Sequence, residues 1–342
     1  ADGGTFDGNV TFAGDIIKST AGTSNFAAGV NAGNSIASGG NYNVAVGDEA
    51  GTAITTGDAN VAVGFEALKT EDAHGLNTAV GYQALKTLNA GADSYNTAVG
   101  YQAGLSITTG LYNTIVGGIA GDGITSGTHN TAIGMGALND DTQGNKSTAV
   151  GQSALTTQNF TSSTDSHNTG IGYNAGAAVT TGVRNTIVGS LAGDALTDAD
   201  RNIAIGYNAI GTDTQGSRAV GIGYGALQTQ NFSSATDNYN VGVGYNAGGS
   251  ITTGIENTLI GAQAGDALTD ADYNVAIGMV ALSADTKGSK SVAIGAGALE
   301  TQNFTSATDS HNTAIGYVAG NDITTGFANT LIGSLTGDAL TD

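Results

Sequence analysis

Asn96-Thr97-Ala98-Val99-Gly100-Tyr101-Gln102-Ala103-Gly104 decides how the chain folds, because its opening frame, Asn-x-Ala-(Val/Ile)-Gly, returns again and again. It is already present as Asn43-Val44-Ala45-Val46-Gly47, and the last of 17 copies begins at Asn329. Most copies start 17 residues after the one before; one step is 19 and three are 21. Three steps of 17 and one of 21 make a superrepeat of 72 residues, starting at 96, 168, 240 and 312. A degenerate copy at Asn25 sets Ala27, Ala28, Gly29, Ala32 and Gly33 in matching places. Self-similarity at such a period is the mark of a stacked repeat, so we expect a repeat field over 25–342 and an N-terminal β connecting segment over 1–24. In that segment Gly8–Asp15 alternates apolar and polar residues, as a strand pair would.

The columns of the repeat assign roles. The fourth position is Val or Ile in all 17 copies: Val46, Val63, Val80, Val99, Val116, Ile133, Val150, Ile171, Val188, Ile205, Ile222, Val243, Ile260, Ile277, Ile294, Ile315 and Ile332. This strictness predicts a structural core column. The fifth position is always Gly, the eighth is Ala in 16 of 17, and the first is Asn in 14 of 17, with Ser147, Ala219 and Ser291 as exceptions. So much Gly argues against helix, where each costs about 0.5–1 kcal/mol relative to Ala. Each unit offers two short runs, such as Thr97-Ala98-Val99 and Ser106-Ile107-Thr108-Thr109, separated by Gly-rich corners. The expected fold is therefore all-β, a β-solenoid of coils of about 17 residues, with the Asn column as an amide ladder. One Val or Ile plus Ala per coil is a thin core against the entropy of ordering it, so a face must be covered, most economically by copies of the same chain.

The 342 residues include 56 Gly and no Cys, Pro or Trp, which excludes both a conventional Leu- and Phe-rich core and a disulfide or thiolate-metal framework. Nine Lys and Arg face 29 Asp and Glu, a formal charge of −20 that repels nucleic acid and anionic membranes. No apolar run approaches the ~20 residues of a membrane span, and the N-terminus has no signal-peptide pattern.

Units such as Asn96–Gly104 and Asn274-Val275-Ala276-Ile277-Gly278 resemble the head repeats of trimeric autotransporter adhesins, and resemble still more closely the shaft repeats of phage tail fibres. The resemblance covers about nine-tenths of the chain. It implies a left-handed parallel β-roll in a parallel homotrimer, a fibre that serves host attachment through a cell-surface receptor or glycan, and a place on the virion; an extracellular or cell-surface adhesin is the alternative. The 17-residue coils are longer than those of the adhesin heads, and the extra residues are expected to protrude at 158–166, 230–238 and 302–310. The sequence stops in mid-repeat at Asp342, as a fragment of a longer chain would.

Chemistry has little footing. His74, His129, His167 and His311 stand at variable positions with no recurring nucleophile and carboxylate beside them, so no catalytic residue, cofactor or enzyme activity is expected. Gly221–Gly225 and Gly144–Thr148 imitate dinucleotide and phosphate loops, but strand repeats follow where a helix N-terminus is needed. Asp194, Asp198 and Asp200, and likewise Asp266, Asp270 and Asp272, offer a weak set of oxygen ligands for Ca²⁺. Asn159, Asn231 and Asn303 each open an Asn-Phe-Thr/Ser glycosylation triplet. An ice-binding solenoid is disfavoured, because Ile-Thr-Thr-Gly recurs only about once per superrepeat and the other Thr column breaks at Ile203, Val220 and Val241.

Overall fold

The computed structural model describes residues 20–342; the strand pair expected at Gly8–Asp15 lies outside the described residues. Those residues contain no helix, and eighteen strands of three residues, from Phe26–Ala28 to Thr330–Ile332, build one sheet. Each strand pairs in parallel with the strand one coil on, like residue on like residue: Val44 on Val61, Ala45 on Ala62, Val46 on Val63. The degenerate copy joins the stack through Phe26–Ala28, which pairs with Val44–Val46. The chain is thus a β-solenoid, and seventeen steps of ~4.8 Å make it roughly 80 Å long.

Three expectations need correction. First, the second run of each unit is not a strand: Ser106–Thr109 is turn, coil and bend, tied to its neighbour by single bonds such as Thr108 N–H to the Thr125 carbonyl (2.9 Å). Second, the Val/Ile column is not the core of the chain. In a three-residue strand, positions two and four face one way and position three the other, and it is the third, Ala98, Ile115 or Ala132, that is fully buried. The column from Val46 through Val99, Val116, Ile133 and Val150 to Ile332 faces outward; Val99, Ile133 and Ile171 are 37, 38 and 39 % exposed. Third, the 21-residue coils protrude less than expected. Gln158, Phe160 and Ser166 are buried, Thr164–Asp165 pairs in parallel with Gly144–Asn145, and only residues near 161–163 project. The same holds at 230–238 and 302–310, where Phe232 and Phe304 are buried and Thr236–Asp237 and Thr308–Asp309 form the short pairs.

The interior is filled by the third position, the Ala of the eighth, and one large side chain that alternates between two places. Where the ninth position is Gly, the twelfth is aliphatic, as in Gly51 with Ile54 or Gly104 with Ile107. A Cβ on Gly51 would stand 2.8 Å from Ile54 Cδ1. Where the ninth is Leu or Ile, the twelfth is usually polar: Leu138 with Asp141, Leu155 with Gln158, Ile210 with Asp213. The ninth residue is left-handed either way, and Leu155 (φ 49°) and Ile210 (φ 51°) accept the ~1–2 kcal/mol this costs a side chain. Burying one Leu or Ile contributes about 1.5–3 kcal/mol, so each coil has a core of its own beyond its alanines.

The Asn column binds the coils twice over. Asn43 Nδ2 donates to the Gly57 carbonyl (2.8 Å) and closes its own coil, while its Oδ1 accepts the Asn60 N–H of the next (2.9 Å). The 21-residue coils supply a substitute where the column lapses. Asn240 N–H donates to Asn238 Oδ1 (2.9 Å), and Asn168 Nδ2 reaches Gln158 Oε1 (2.8 Å). Gln158 Nε2 in turn donates to Asp141 Oδ2 (2.6 Å), whose other oxygen accepts the Gly144 and Phe160 N–H groups (3.0 and 3.1 Å). Equivalent Asp–Gln pairs, Asp213–Gln230 and Asp285–Gln302, recur one superrepeat apart.

The invariant fifth Gly answers a steric demand. Gly100 has φ +143°, and a Cβ there would stand 2.4 Å from the Gly117 carbonyl oxygen of the next coil. Gly118, next in sequence to that acceptor, has nothing within 4 Å of its own notional Cβ. Thermal melts of two variants should therefore separate: Gly100→Ala is expected to lose about 1–3 kcal/mol from backbone strain alone, with the clash in addition, and Gly118→Ala to melt with the parent. Equal melting temperatures would remove the steric account of this column.

Candidate binding surface

The outer face of the sheet is built by the second and fourth positions of every strand. The second is β-branched in all 17 regular coils, from Val44 and Val61 through Thr97 and Thr114 to Ile203, Val220 and Thr330. With the Val/Ile column it makes a continuous strip of branched side chains along the rod, every one of them half-buried or exposed. Its area is on the order of 800 Å², from ~80 Å of stacked strands and about 10 Å of width. The Val/Ile half of it is apolar along its whole length, and monomers rarely leave a contiguous apolar patch above a few hundred Å² uncovered.

Two ladders border this strip. On one side runs the residue before each Asn: Tyr95, Tyr112, His129, Lys146, His167, Arg184, Arg201, Arg218 and onward. From Tyr42 to Ala328 it is left-handed in every coil and never Gly, with φ between 50° and 66°. The ladder holds five of the nine Lys and Arg, Lys290 being the fifth, and three of the four His. Tyr95 stacks on Tyr112 at 5.4 Å, Tyr112 on His129 at 4.9 Å, and Arg218 lies over the Tyr239 ring at 5.5 Å. Acidic partners meet three of its cations: Lys146 with Asp165 (2.5 Å), Arg218 with Asp237 (3.0 Å), Lys290 with Asp309 (2.6 Å). On the other side the sixth position gives two three-ring stacks, Phe65–Tyr82–Tyr101 and Tyr207–Tyr224–Tyr245, at spacings of 5.2–5.5 Å. The His positions look variable in sequence, because the left-handed backbone that aligns them leaves no trace in residue type.

The acidic triplets do separate local work. Asp200 and Asp272 accept the Val183 and Ile255 N–H groups (both 2.8 Å), Thr197 donates to Asp198 (3.3 Å), and Asp270 meets Lys287 at 3.6 Å. Burial raises the pKa of Asp194 and Asp266. Neither triplet converges: among the described residues, the one trio of His and carboxylate side chains with ligand atoms within 4.8 Å of one another is Glu71, Asp72 and His74. There the buried Glu71 carboxylate already accepts the His74 and Ala90 N–H groups (both 3.3 Å), with His74 Nδ1 3.6 Å from Oε1, so it locks a corner. Asn159, Asn231 and Asn303 sit in irregular backbone, each accepting a Thr hydroxyl from the preceding coil at 3.0–3.3 Å, with the following Phe packed inward. Gly221–Gly225 and Gly144–Thr148 are strand and corner.

No protein-family model matches the sequence, and no curated protein matches it either.

Buried carboxyls set the expected response to acid. Desolvation raises the pKa of Glu71, Asp122, Asp141, Asp194 and Asp266. A carboxyl with a raised pKa in the folded chain binds its proton more tightly there than when unfolded, so its protonation stabilises the fold. Glu66 works the other way: hydrogen bonds from Lys69 first and Lys86 second hold it down to about 2, and its contribution is lost as pH falls towards that value. Melting temperature should therefore rise from neutral pH to about pH 4–5 and drop as pH approaches 2. A steady fall from neutral pH downward would contradict this assignment of the buried carboxyls.

Proposed function

We propose that the chain is the shaft of a homotrimeric fibre of the phage tail-fibre kind, a non-enzymatic virion component that holds a host-binding element away from the particle. The observation that carries this is the uncovered strip of Val, Ile and Thr along the whole rod. Each coil already has an interior, so the strip does not serve the fold of one chain, yet 17 branched side chains at the fourth position are kept on the outside. Parallel copies in register would set these columns against one another, each buried Val or Ile contributing on the order of 1 kcal/mol. An area of about 800 Å² per chain is what a stable protein interface needs. Strict inward columns with changing polar ladders also suit a spacer better than a catalyst, which needs different reactive groups converging in one pocket.

Sedimentation and native mass measurement of the folded chain should give a trimer. Ile133→Asp combined with Ile171→Asp should return monomers with unchanged circular dichroism, since both side chains face outward. A parent chain that stays monomeric and folded at micromolar concentration would end the proposal.

A further inference from the structure

Copies 72 residues apart act as controls for one another, and by that comparison one spot on the rod stands out. The sixth and seventh positions of three successive coils enclose a notch of about 260 Å³, lined by Met279, Val280, Ala296, Glu300, Tyr317 and Val318. In the two preceding superrepeats Val280 is replaced by Gly136 and Asn208, and Val318 by Asn174 and Asn246. Ala296 stands where Gln152 and Tyr224 stand, and Glu300 where Thr156 and Gln228 do. The coils fold with either set, so the exchange of polar for apolar side chains at the surface is not required by the stack.

The polar groups at the rim are equally particular to this copy. Asn321, which replaces Ala177 and Gly249, donates through Nδ2 to Glu300 Oε2 (2.9 Å) and towards the Gly297 carbonyl (3.3 Å). That fixes the carboxylate and leaves its Oε1 uncommitted. Gly297 keeps the floor open, since a Cβ there would stand 3.2 Å from Glu300 Oε2 and 3.5 Å from Val318 Cγ2. The Tyr317 ring stands beside the notch, 61 % exposed.

We infer that this notch binds a neutral pyranose bearing a methyl-terminated substituent, either an N-acetyl group or the C6 methyl of a 6-deoxy sugar. The exposed Tyr ring offers a face for the axial C–H bonds, the Glu300–Asn321 pair an acceptor and an amide for neighbouring hydroxyls, and Val280, Val318 and Met279 a dry wall for the methyl group. A notch of this volume holds one sugar residue. Glu300 and the −20 charge of the chain exclude acidic sugars. The inference deepens the attachment role proposed above, placing one glycan contact on the shaft itself.

Saturation-transfer NMR on the full chain in its native oligomer tests it, with N-acetylglucosamine, rhamnose and glucose as probes. Transfer should be strongest to the methyl protons of the first or second sugar, which also tells the two sources of the methyl apart, and weak to glucose. Val280→Asn with Val318→Asn, installing residues the rod already carries at 208 and 246, should abolish it without lowering the melt, since Asn is at ease in the left-handed backbone of both positions. Glu300→Gln should weaken binding about tenfold, the loss of a hydrogen bond to a charged group. No transfer from any sugar, equal transfer from glucose, or binding only of a Lys- or Arg-bearing peptide overturns the inference. A trimer that binds no sugar defeats this site alone; a monomer that binds sugar defeats the fibre reading alone.

Discussion

Every residue in this rod must tolerate a copy of its own position ~4.8 Å away, above and below. The Asn ladder is the clearest solution. One amide closes its own coil and receives the next, so the donor left by each Asn backbone is met by the side chain before it, from Asn43 and Asn60 up to Asn312 and Asn329. Ser, Ala and Gln enter only where the longer coils bring a second acceptor. Ser147 faces Ser166 and Ser291 faces Ser310, whereas in the middle copy Ala219 faces Asn238, a smaller residue against a larger one. The same rule excludes a side chain from the fifth position, and the longer coils pair Lys146, Arg218 and Lys290 of the outer ladder with Asp from the following coil.

The period, the parallel stacking, the Asn ladder and the Gly corners were all legible in residue type and spacing. The side on which each strand residue faces was not. An invariant Val/Ile column reads as a core because burial is the usual reason for such strictness, yet Val99 and Ile133 are outside and Ala98 and Ala132 inside. Alternation from the buried Asn of the first position would have placed the third inside and the fourth out. The missing core volume was also present in the sequence, as the exchange of Gly104–Ile107 for Leu155–Gln158 across positions nine and twelve. It escapes a column-by-column count because neither column is apolar in every coil; only their combination is.

The surface was the least legible part. Two left-handed columns, at the seventh and last positions, turn side chains that look scattered in sequence into straight ladders. Only the structure shows that His129 lies on Tyr112, or that Val280, Gly297 and Val318 line one notch. The result is a division of labour along each coil. Inward side chains exchange only in ways that keep the coil filled, the outward Val/Ile column stays constant, and the ladders that border it change from copy to copy without disturbing what lies beneath.

In-register stacking makes the 72-residue superrepeat a unit that can be gained or lost whole. The coil that begins at Asn168 rests on Ser147, Asn240 on Ala219 and Asn312 on Ser291, and each junction repeats the same 21-residue approach. Unequal recombination between copies would join one superrepeat to the next-but-one with every ladder continuous and nearly every pair of neighbours of a kind the rod already contains. Reach then becomes a matter of gene arithmetic: the rod lengthens or shortens in steps of four coils, about 19 Å, while the chemistry that holds it together stays the same.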